Sequence, residues 1–335
     1  LNALPETGGE VVILDGTYNI TESIHIPKNN VSIRGNGNAT ILKRKYNSTS
    51  EDSGSTVRGL ITLIGRSGCK IQDLQIDGDK STYDSSYNYG IWLTSSSNNT
   101  VTGNTCSNNS NSGIYLSSSS NNNTVTGNTC NNNSNSGIYL YSSNNDNTVT
   151  DNTCNNNSSG IYLSSSSNNT VTGNTCNNNS NNGIWLTSSS NNNTITGNTC
   201  NNNSNNGIYL SSSSNNNTVT GDTCNNNKYG INLSSSSNNT VTGNNCNNNN
   251  YGIRLSSSSN NTITGNTCIR GTGQTSDYAS NQYTIQLQGT DNNYNLISLN
   301  NCMGKKVVVD GGTGNSVWGN KFDNTNDLPS CAEAN

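Results

Sequence analysis

Apolar residues in this chain fall into two short blocks that recur in strict alternation. Gly-Ile-x-Leu begins at Gly90, Gly113, Gly137, Gly160, Gly183, Gly207, Gly230 and Gly252, with a period of 22 to 24 residues. Val/Ile-Thr-x-x-x-Cys follows each copy, from Val101, Val125, Val149, Val171, Ile195, Val219, Val241 and Ile263. Spacing inside the blocks never changes, so every length difference falls in the Asn/Ser segments between them. Constant blocks predict strands, and the elastic segments predict loops.

Side chains alternate along a strand, so Ile91 and Leu93 share one face while Trp92 takes the other, and Val101 lies between outward Thr100 and Thr102. Each coil then buries an Ile, a Leu, a Val or Ile, and a Cys. These coils are too long for a hexapeptide helix of about 18 residues per turn, and parallel crossovers are right-handed by strong preference. The expected fold is all-β, a right-handed parallel β-helix of about 12–13 coils. Residues 1–85 form irregular N-terminal coils, 86–268 the regular repeat, and 269–335 C-terminal coils with an insertion and a tail, all within one continuous domain. The glycine heading the first block, and the Gly-Asn inside the second, are expected to turn the corners of the coil. Asparagines in register at the bends are expected to stack their amides into ladders.

Only 27% of the 335 residues are hydrophobic, too few for one central core but enough for a stack in which each coil covers the next. The net charge is −4 and the basic residues are dispersed apart from Lys43, Arg44 and Lys45, which argues against nucleic acid. No apolar run reaches membrane-spanning length, and no leader is visible. Asn-x-Ser/Thr sequons recur at Asn19, Asn38, Asn47, Asn98, Asn108, Asn122, Asn132, Asn168, Asn178, Asn192, Asn202, Asn216, Asn238 and Asn260, mostly in expected turns. They are candidate glycosylation sites and point to an extracellular, cell-surface location, although an Asn/Ser/Thr-rich repeat also generates such triplets by composition.

The repeated Asn-Gly-Ile-x-Leu and Ser-Ser-x-Asn-Asn-Thr-Val-Thr-Gly-Asn words resemble the NosD-like, carbohydrate-binding-and-sugar-hydrolase repeats of the pectin-lyase-like superfamily. Leu4-Pro-Glu-Thr-Gly-Gly-Glu-Val-Val-Ile-Leu-Asp-Gly-Thr-Tyr18 resembles the first coil of that superfamily, and surface proteins of methanogenic archaea carry many such repeats. The resemblance implies the fold. It leaves function open, because the fold hosts lyases, hydrolases, tailspikes, adhesins and structural proteins.

Catalysis on sugars needs a carboxylate pair, or carboxylates with Lys or Arg. Between residues 86 and 268 the charged residues are Asp146, Asp151, Asp222, Lys228 and Arg254, and none forms such a pair. Asp151 and Asp222 occupy Gly or Asn positions of the repeat and read as drift. Asp73, Asp77, Asp79 and Asp84, with Lys80 or residues 43–45, are the best remaining candidates, with Asp73 read as a strand position and Asp77-Gly78 as a corner. No catalytic residue is assigned, and the chain is expected not to be an enzyme. The NosD resemblance implies copper-site maturation, but one histidine, His25, and one methionine, Met303, are a poor ligand supply. No cofactor or metal site is expected.

Of eleven cysteines, Cys106, Cys130, Cys154, Cys176, Cys200, Cys224, Cys246 and Cys268 share one position of successive coils, and Cys302 extends the column. They are expected inward and mainly reduced, as small hydrophobes. Cys331 lies outside the repeat and is the candidate intermolecular thiol. The middle residue of the first block gives an outward stripe, Trp92, Tyr115, Tyr139, Tyr162, Trp185 and Tyr209, suited to coil-to-coil stacking, to sugar rings or to a neighbouring subunit. A second outward row, Thr-x-Thr, is shared with some ice-binding solenoids.

The sequence is therefore read as an extracellular structural protein of a cell surface, self-assembling as a surface-layer, sheath or filament subunit. Its expected partners are copies of itself or other surface proteins, and polysaccharide. A carbohydrate-binding adhesin is the main alternative, ahead of a polysaccharide lyase or hydrolase, an ice-binding protein and copper maturation.

Overall fold

The computed structural model describes residues 1–49, 58–269, 282–304 and 307–322. The chain divides into two compact units, Leu1–Thr175 and Cys176–Asn335. Every paired strand in both is parallel, and the described residues contain no helix. The all-β solenoid expected from the repeat is the fold observed.

In the first unit one sheet is built by Ile24–Ile26, Gly59–Ile64, Tyr89–Thr94, Ile114–Ser117, Ser136–Tyr141 and Ser159–Ser164. The first block supplies its regular strands, in strict register: Ile91↔Ile114↔Ile138 and Leu93↔Leu116↔Leu140. The opposing sheet runs through Gly9–Val12, Val31–Arg44, Lys70–Asp77, Thr100–Thr102, Thr124–Thr126, Thr148–Thr150 and Thr170–Thr172. Two further strands, Gly16–Ile20 and Thr105–Ser107, pair beside the long strands Val31–Arg44 and Lys70–Asp77 respectively.

The second unit repeats the scheme. Asn182–Thr187, Asn206–Ser211, Tyr229–Ser234, Tyr251–Ser256, Tyr283–Gln288 and Val308–Val309 form one sheet. Thr194–Thr196, Thr218–Thr220, Thr240–Thr242, Thr262–Thr264, Leu296–Ser298 and Ser316–Trp318 form the other.

In both units the inward residues of the blocks form the core: Ile91, Leu93, Val101 and Cys106, like Ile208, Leu210, Val219 and Cys224, are fully buried. The Gly-Asn inside the second block turns a corner of the coil, as expected from the sequence. Val101 and Cys106 are five residues apart, an odd separation that a straight strand would send to opposite faces. The second block is bent instead. Its glycine adopts φ of +65° at Gly103 and +62° at Gly127, and a third column of bridges, Thr105↔Thr129↔Thr153, carries the cysteines back inward.

The first-block glycine, by contrast, does not turn a corner. A Cβ on Gly207 would stand 2.6 Å from the Gly230 carbonyl oxygen and 2.8 Å from Cys224 Cβ. Close approach of successive backbones, not backbone angle, requires glycine there. The remaining left-handed corners are taken mainly by asparagine, which tolerates that region better than most residues with a Cβ, and by serine, as at Ser119 (+61°) and Ser213 (+64°).

Candidate functional site

The corners carry the most regular chemistry of the molecule. Each is a pair of residues: the first is exposed with positive φ, as in Asn98 (+61°), Asn122 (+53°) and Asn168 (+57°), and the second is buried. The buried partners form hydrogen-bonded ladders, Asn99 to Asn123 to Asn147 to Asn169 in the first unit and Asn193 to Asn217 to Asn239 to Asn261 in the second. A second ladder follows the left-handed glycine, from Asn104 to Asn128, Asn152 and Asn174. A third follows the cysteine, from Asn109 through Asn133 to Asn157.

This geometry accounts for the sequons. Asn-Asn-Thr is an exposed left-handed corner, a buried rung and the first residue of a strand, and the Asn-Asn-Ser sequons after the cysteines share the corner and the rung. The coil therefore favours these triplets, even though Asp146 takes the same corner without one. Asn98, Asn108, Asn122, Asn132, Asn168, Asn178, Asn192, Asn202, Asn216, Asn238 and Asn260 all stand at such corners, exposed. Asn19, Asn38 and Asn47 are also exposed but lie in the irregular coils, where Asn38 accepts from Thr105 Oγ1 and Asn47 from Asn88 Nδ2.

The cysteines Cys106, Cys130 and Cys154 of the first unit, and Cys176, Cys200, Cys224, Cys246, Cys268 and Cys302 of the second, are inward, buried and unbridged. Burial pushes the thiols of Cys130, Cys200 and Cys224 well above their ordinary range. Cys69 is also buried but stands elsewhere, above Asn99 in the first ladder, its backbone nitrogen donating to Asn99 Oδ1. Cys331 lies outside the described residues.

The aromatic stripe is a stack of rings. In the first unit Trp92 lies on Tyr115 at 6.4 Å, Tyr115 on Tyr139 at 5.1 Å and Tyr139 on Tyr162 at 4.4 Å. In the second, Trp185 lies on Tyr209 at 6.1 Å. Trp92 and Trp185 donate their indole N–H to Ser117 and Ser211 Oγ. Ring faces are turned to one another, so the stripe offers edges and hydroxyls outward. Tyr141, 46% exposed and tilted 57° to Tyr139, is the most open ring beside it. A second stack, Tyr229, Tyr251 and Tyr283, stands in register one position before Gly230, Gly252 and Thr284. The Tyr-Gly-Ile words at residues 229 and 251 were the signal for it.

Ionisable side chains gather in the irregular coils of the first unit. Along Val31–Arg44 alternation sends Lys43 outward and Arg44 inward, so the three basic residues are not one patch. Arg44 is fully buried, donating to the Tyr89 carbonyl at 2.6 Å and to Asn88 Oδ1, with its guanidinium 4.4 Å from the Tyr46 ring. Lys43 lies beside Asp77, its register partner, and 3.4 Å from Asp79. Lys45 reaches Asp79 at 3.0 Å and stands 5.8 Å from the Tyr83 ring centre. The hydrogen bond from Lys45 holds the Asp79 carboxyl below its usual range. Lys80 extends from the same turn to the Asn132 carbonyl.

Asp73 is a left-handed corner with φ of +54°, not an ordinary strand position, and its carboxylate crowds Gly103. Neither Asp73 nor Asp84 forms an ion pair among the described residues. At the far end of the second unit, Tyr294, Leu299 and Trp318 are 64%, 57% and 44% exposed on adjacent coils, where earlier coils carry Asn, Gly and Thr.

Residues 14–206, 141–304 and 200–332 match the sequence profile of a family described as periplasmic copper-binding protein (NosD). The chain belongs to the NosD family. No curated protein matches it in sequence. Among solved structures, this NosD-family chain is similar to the mannuronan C-5 epimerase AlgE4 A-module of Azotobacter vinelandii (TM-score 0.76, 16% identity, 95% of this chain and 91% of that one). It is also similar to the Dettilon tailspike protein (0.71, 17%, 89% and 62%). A third likeness is to the catalytic unit of an α-1,3-glucanase from Streptomyces thermodiastaticus (0.57, 18%, 95% and 64%). At these identities the likeness establishes the fold, a right-handed parallel β-helix of the pectin-lyase kind.

These neighbours correct one expectation. The chain was expected not to be an enzyme because its regular coils lack a carboxylate pair. Epimerases and a glucanase share this fold, so bare coils are no ground for excluding catalysis.

The copper of the family description finds no suitable donor set. Among the described residues no three histidine, cysteine, aspartate or glutamate side chains converge on a metal-sized site. His25 is exposed, the repeat cysteines stand in a packed core, and burial pushes the thiols of Cys130, Cys200 and Cys224 well above their ordinary range, whereas metals take thiolate. Among the described residues no helix is long and apolar enough to cross a membrane.

Proposed function

We propose that this NosD-family chain works outside the cytoplasm on polysaccharide, holding an acidic polymer at the ionic cluster of its first unit. The observation that carries the reading is the convergence of Lys43, Lys45, Asp77 and Asp79 beside Tyr83 and Lys80, on coils whose neighbours in the regular repeat present Thr, Ser and Asn. Lysines placed along successive coils match carboxylates spaced along a uronate chain, and the paired aspartates fix the ammonium groups in position. The mannuronan epimerases and the glucanase act on polysaccharide on this fold, which supports the substrate class.

Affinity electrophoresis in polymannuronate and in a neutral glucan tests it. Retardation in the acidic gel that weakens with salt and falls about tenfold in Lys43→Ala/Lys45→Ala supports the reading. Equal retardation in both gels, or none in either, overturns it. Proton NMR in heavy water, following exchange beside the sugar carboxylate, then separates turnover from binding.

Self-assembly into a surface layer is a second reading, favoured by the exposed Tyr294, Leu299 and Trp318 of the second unit. Sedimentation velocity across a concentration series tests it: association lost in Trp318→Ser supports it, and a monomer at every concentration removes it.

A further inference from the structure

One rung of the second unit breaks the pattern of its ladder. At an asparagine rung Oδ1 accepts from the rung before, and Nδ2 donates twice: Asn244 Nδ2 reaches Asn266 Oδ1 at 2.9 Å and the Val219 carbonyl at 3.0 Å. Asn266 does the same toward Asn300 Oδ1 and the Val241 carbonyl. Asp222 occupies the rung before Asn244. Its Oδ1 accepts from the Asn198 backbone nitrogen at 2.7 Å and from Asn198 Nδ2 at 2.9 Å, as an asparagine would.

Its other oxygen is the anomaly. Asp222 is 1% exposed, and Oδ2 stands buried without a hydrogen-bond partner. By the register of the repeat, this oxygen takes the place of an amide that donates to Asn244 Oδ1 and to the Ile195 carbonyl. A carboxylate there sets acceptor against acceptor in a low-dielectric interior. A carboxylic acid restores the donor.

We propose that Asp222 is an uncharged carboxylic acid in the folded protein at neutral pH, its Oδ2 proton standing in for the missing amide hydrogen, and that this rung is a pH-sensitive joint. The titratable groups acting on it are thiols, Cys200 from the coil before and Cys246 from the coil after. No ion pair reaches it among the described residues. Desolvation by burial, opposed only by the Asn198 hydrogen bonds, pushes its carboxyl up to about 8.

The sign follows from proton linkage. The folded state holds the proton more tightly than the unfolded chain, so stability is greatest below the ordinary aspartate range. It falls as pH rises toward 8 and levels off above it. Asp222→Asn restores the repeat and removes the titration.

The test is thermal unfolding of the full chain and of Asp222→Asn between pH 5 and pH 9, with infrared difference spectra at pH 7. The melting temperature of the wild type should drop relative to the variant by roughly 5 °C or more over this range. A protonated-carboxyl band should be present in the wild type and missing from the variant. Parallel melting curves, or no such band, would overturn the proposal.

Discussion

Asn123 Oδ1 accepts two hydrogen bonds from Asn99, one from the backbone nitrogen at 2.9 Å and one from Nδ2 at 3.1 Å. Asn123 in turn donates its Nδ2 to Asn147 Oδ1 and to the Ser96 carbonyl. Side-chain amides therefore do at the corners what backbone ladders do in the sheets. Each rung is satisfied only because the next coil carries asparagine at the same place.

Replacing a rung should be costly out of proportion to its size. Asn123→Leu leaves the two donors of Asn99 and the Ser96 carbonyl without these partners, all buried, and is expected to cost about 3 kcal/mol or more. Urea unfolding followed by circular dichroism measures it; a midpoint within error of wild type would show that water replaces the rung.

The exposed corner asparagines make a different demand. Asn168 has φ of +57° and is exposed, so Asn168→Gly should be near neutral, while Asn168→Ala should lose about 1 kcal/mol through backbone strain. The same denaturation curves decide between backbone and side chain, since a contact-based role would make the two variants equally harmful.

Gly207→Ala should behave unlike either. Its new methyl would meet the Gly230 carbonyl oxygen and Cys224 Cβ below van der Waals distance, and overpacking of this kind costs about 1–3 kcal/mol. Peptide-resolved hydrogen exchange should show loss of protection centred on strands Asn206–Ser211 and Tyr229–Ser234. Unchanged protection would mean that the coils separate without penalty.

The buried thiols give a chemical readout. Cys130, Cys200 and Cys224 are fully buried and held protonated, so iodoacetamide at pH 8 should leave them unmodified in the native chain and label them in urea. Mass spectrometry of the digested protein is the check, and native labelling at the unfolded rate would contradict the packed core.

Trp92 separates packing from recognition. It is 7% exposed, stacked on Tyr115 and bonded to Ser117, so Trp92→Ala should lose about 3 kcal/mol of stability. It should leave polymannuronate retardation unchanged at temperatures where the variant is folded. Loss of retardation without loss of stability would make the stripe a sugar platform.

The repeat was legible because its signal is redundant. Alternation placed Ile91 and Leu93 inward, the recurrence of Val101 and Cys106 in every coil put them in the core, and the repeated asparagines foretold amide ladders. The corner at Gly103 was legible, but Gly90 was given the same role, because the two look alike in sequence although one needs a left-handed angle and the other needs room. Asp222 read as drift because its meaning depends on what the neighbouring oxygens accept. The ionic cluster was only half visible: Asp77 and Asp79 could be named, but Lys43 joins them while Arg44 does not, a matter of strand facing. Catalysis was excluded on the bare coils because the irregular ones have no period from which to reason.

The paired corner has one more consequence, for chemical ageing. Asparagine deamidates when the next residue's backbone nitrogen attacks its side-chain carbonyl carbon, and a chain this rich in asparagine would be a poor choice for long service. After Asn98 that nitrogen belongs to Asn99 and is donated to Asn123 Oδ1; after Asn99 it belongs to Thr100 and is donated to the Cys69 carbonyl. The bonds that align the coils thus occupy the attacking atom, so the lifetime of the folded chain is set by how seldom a corner opens.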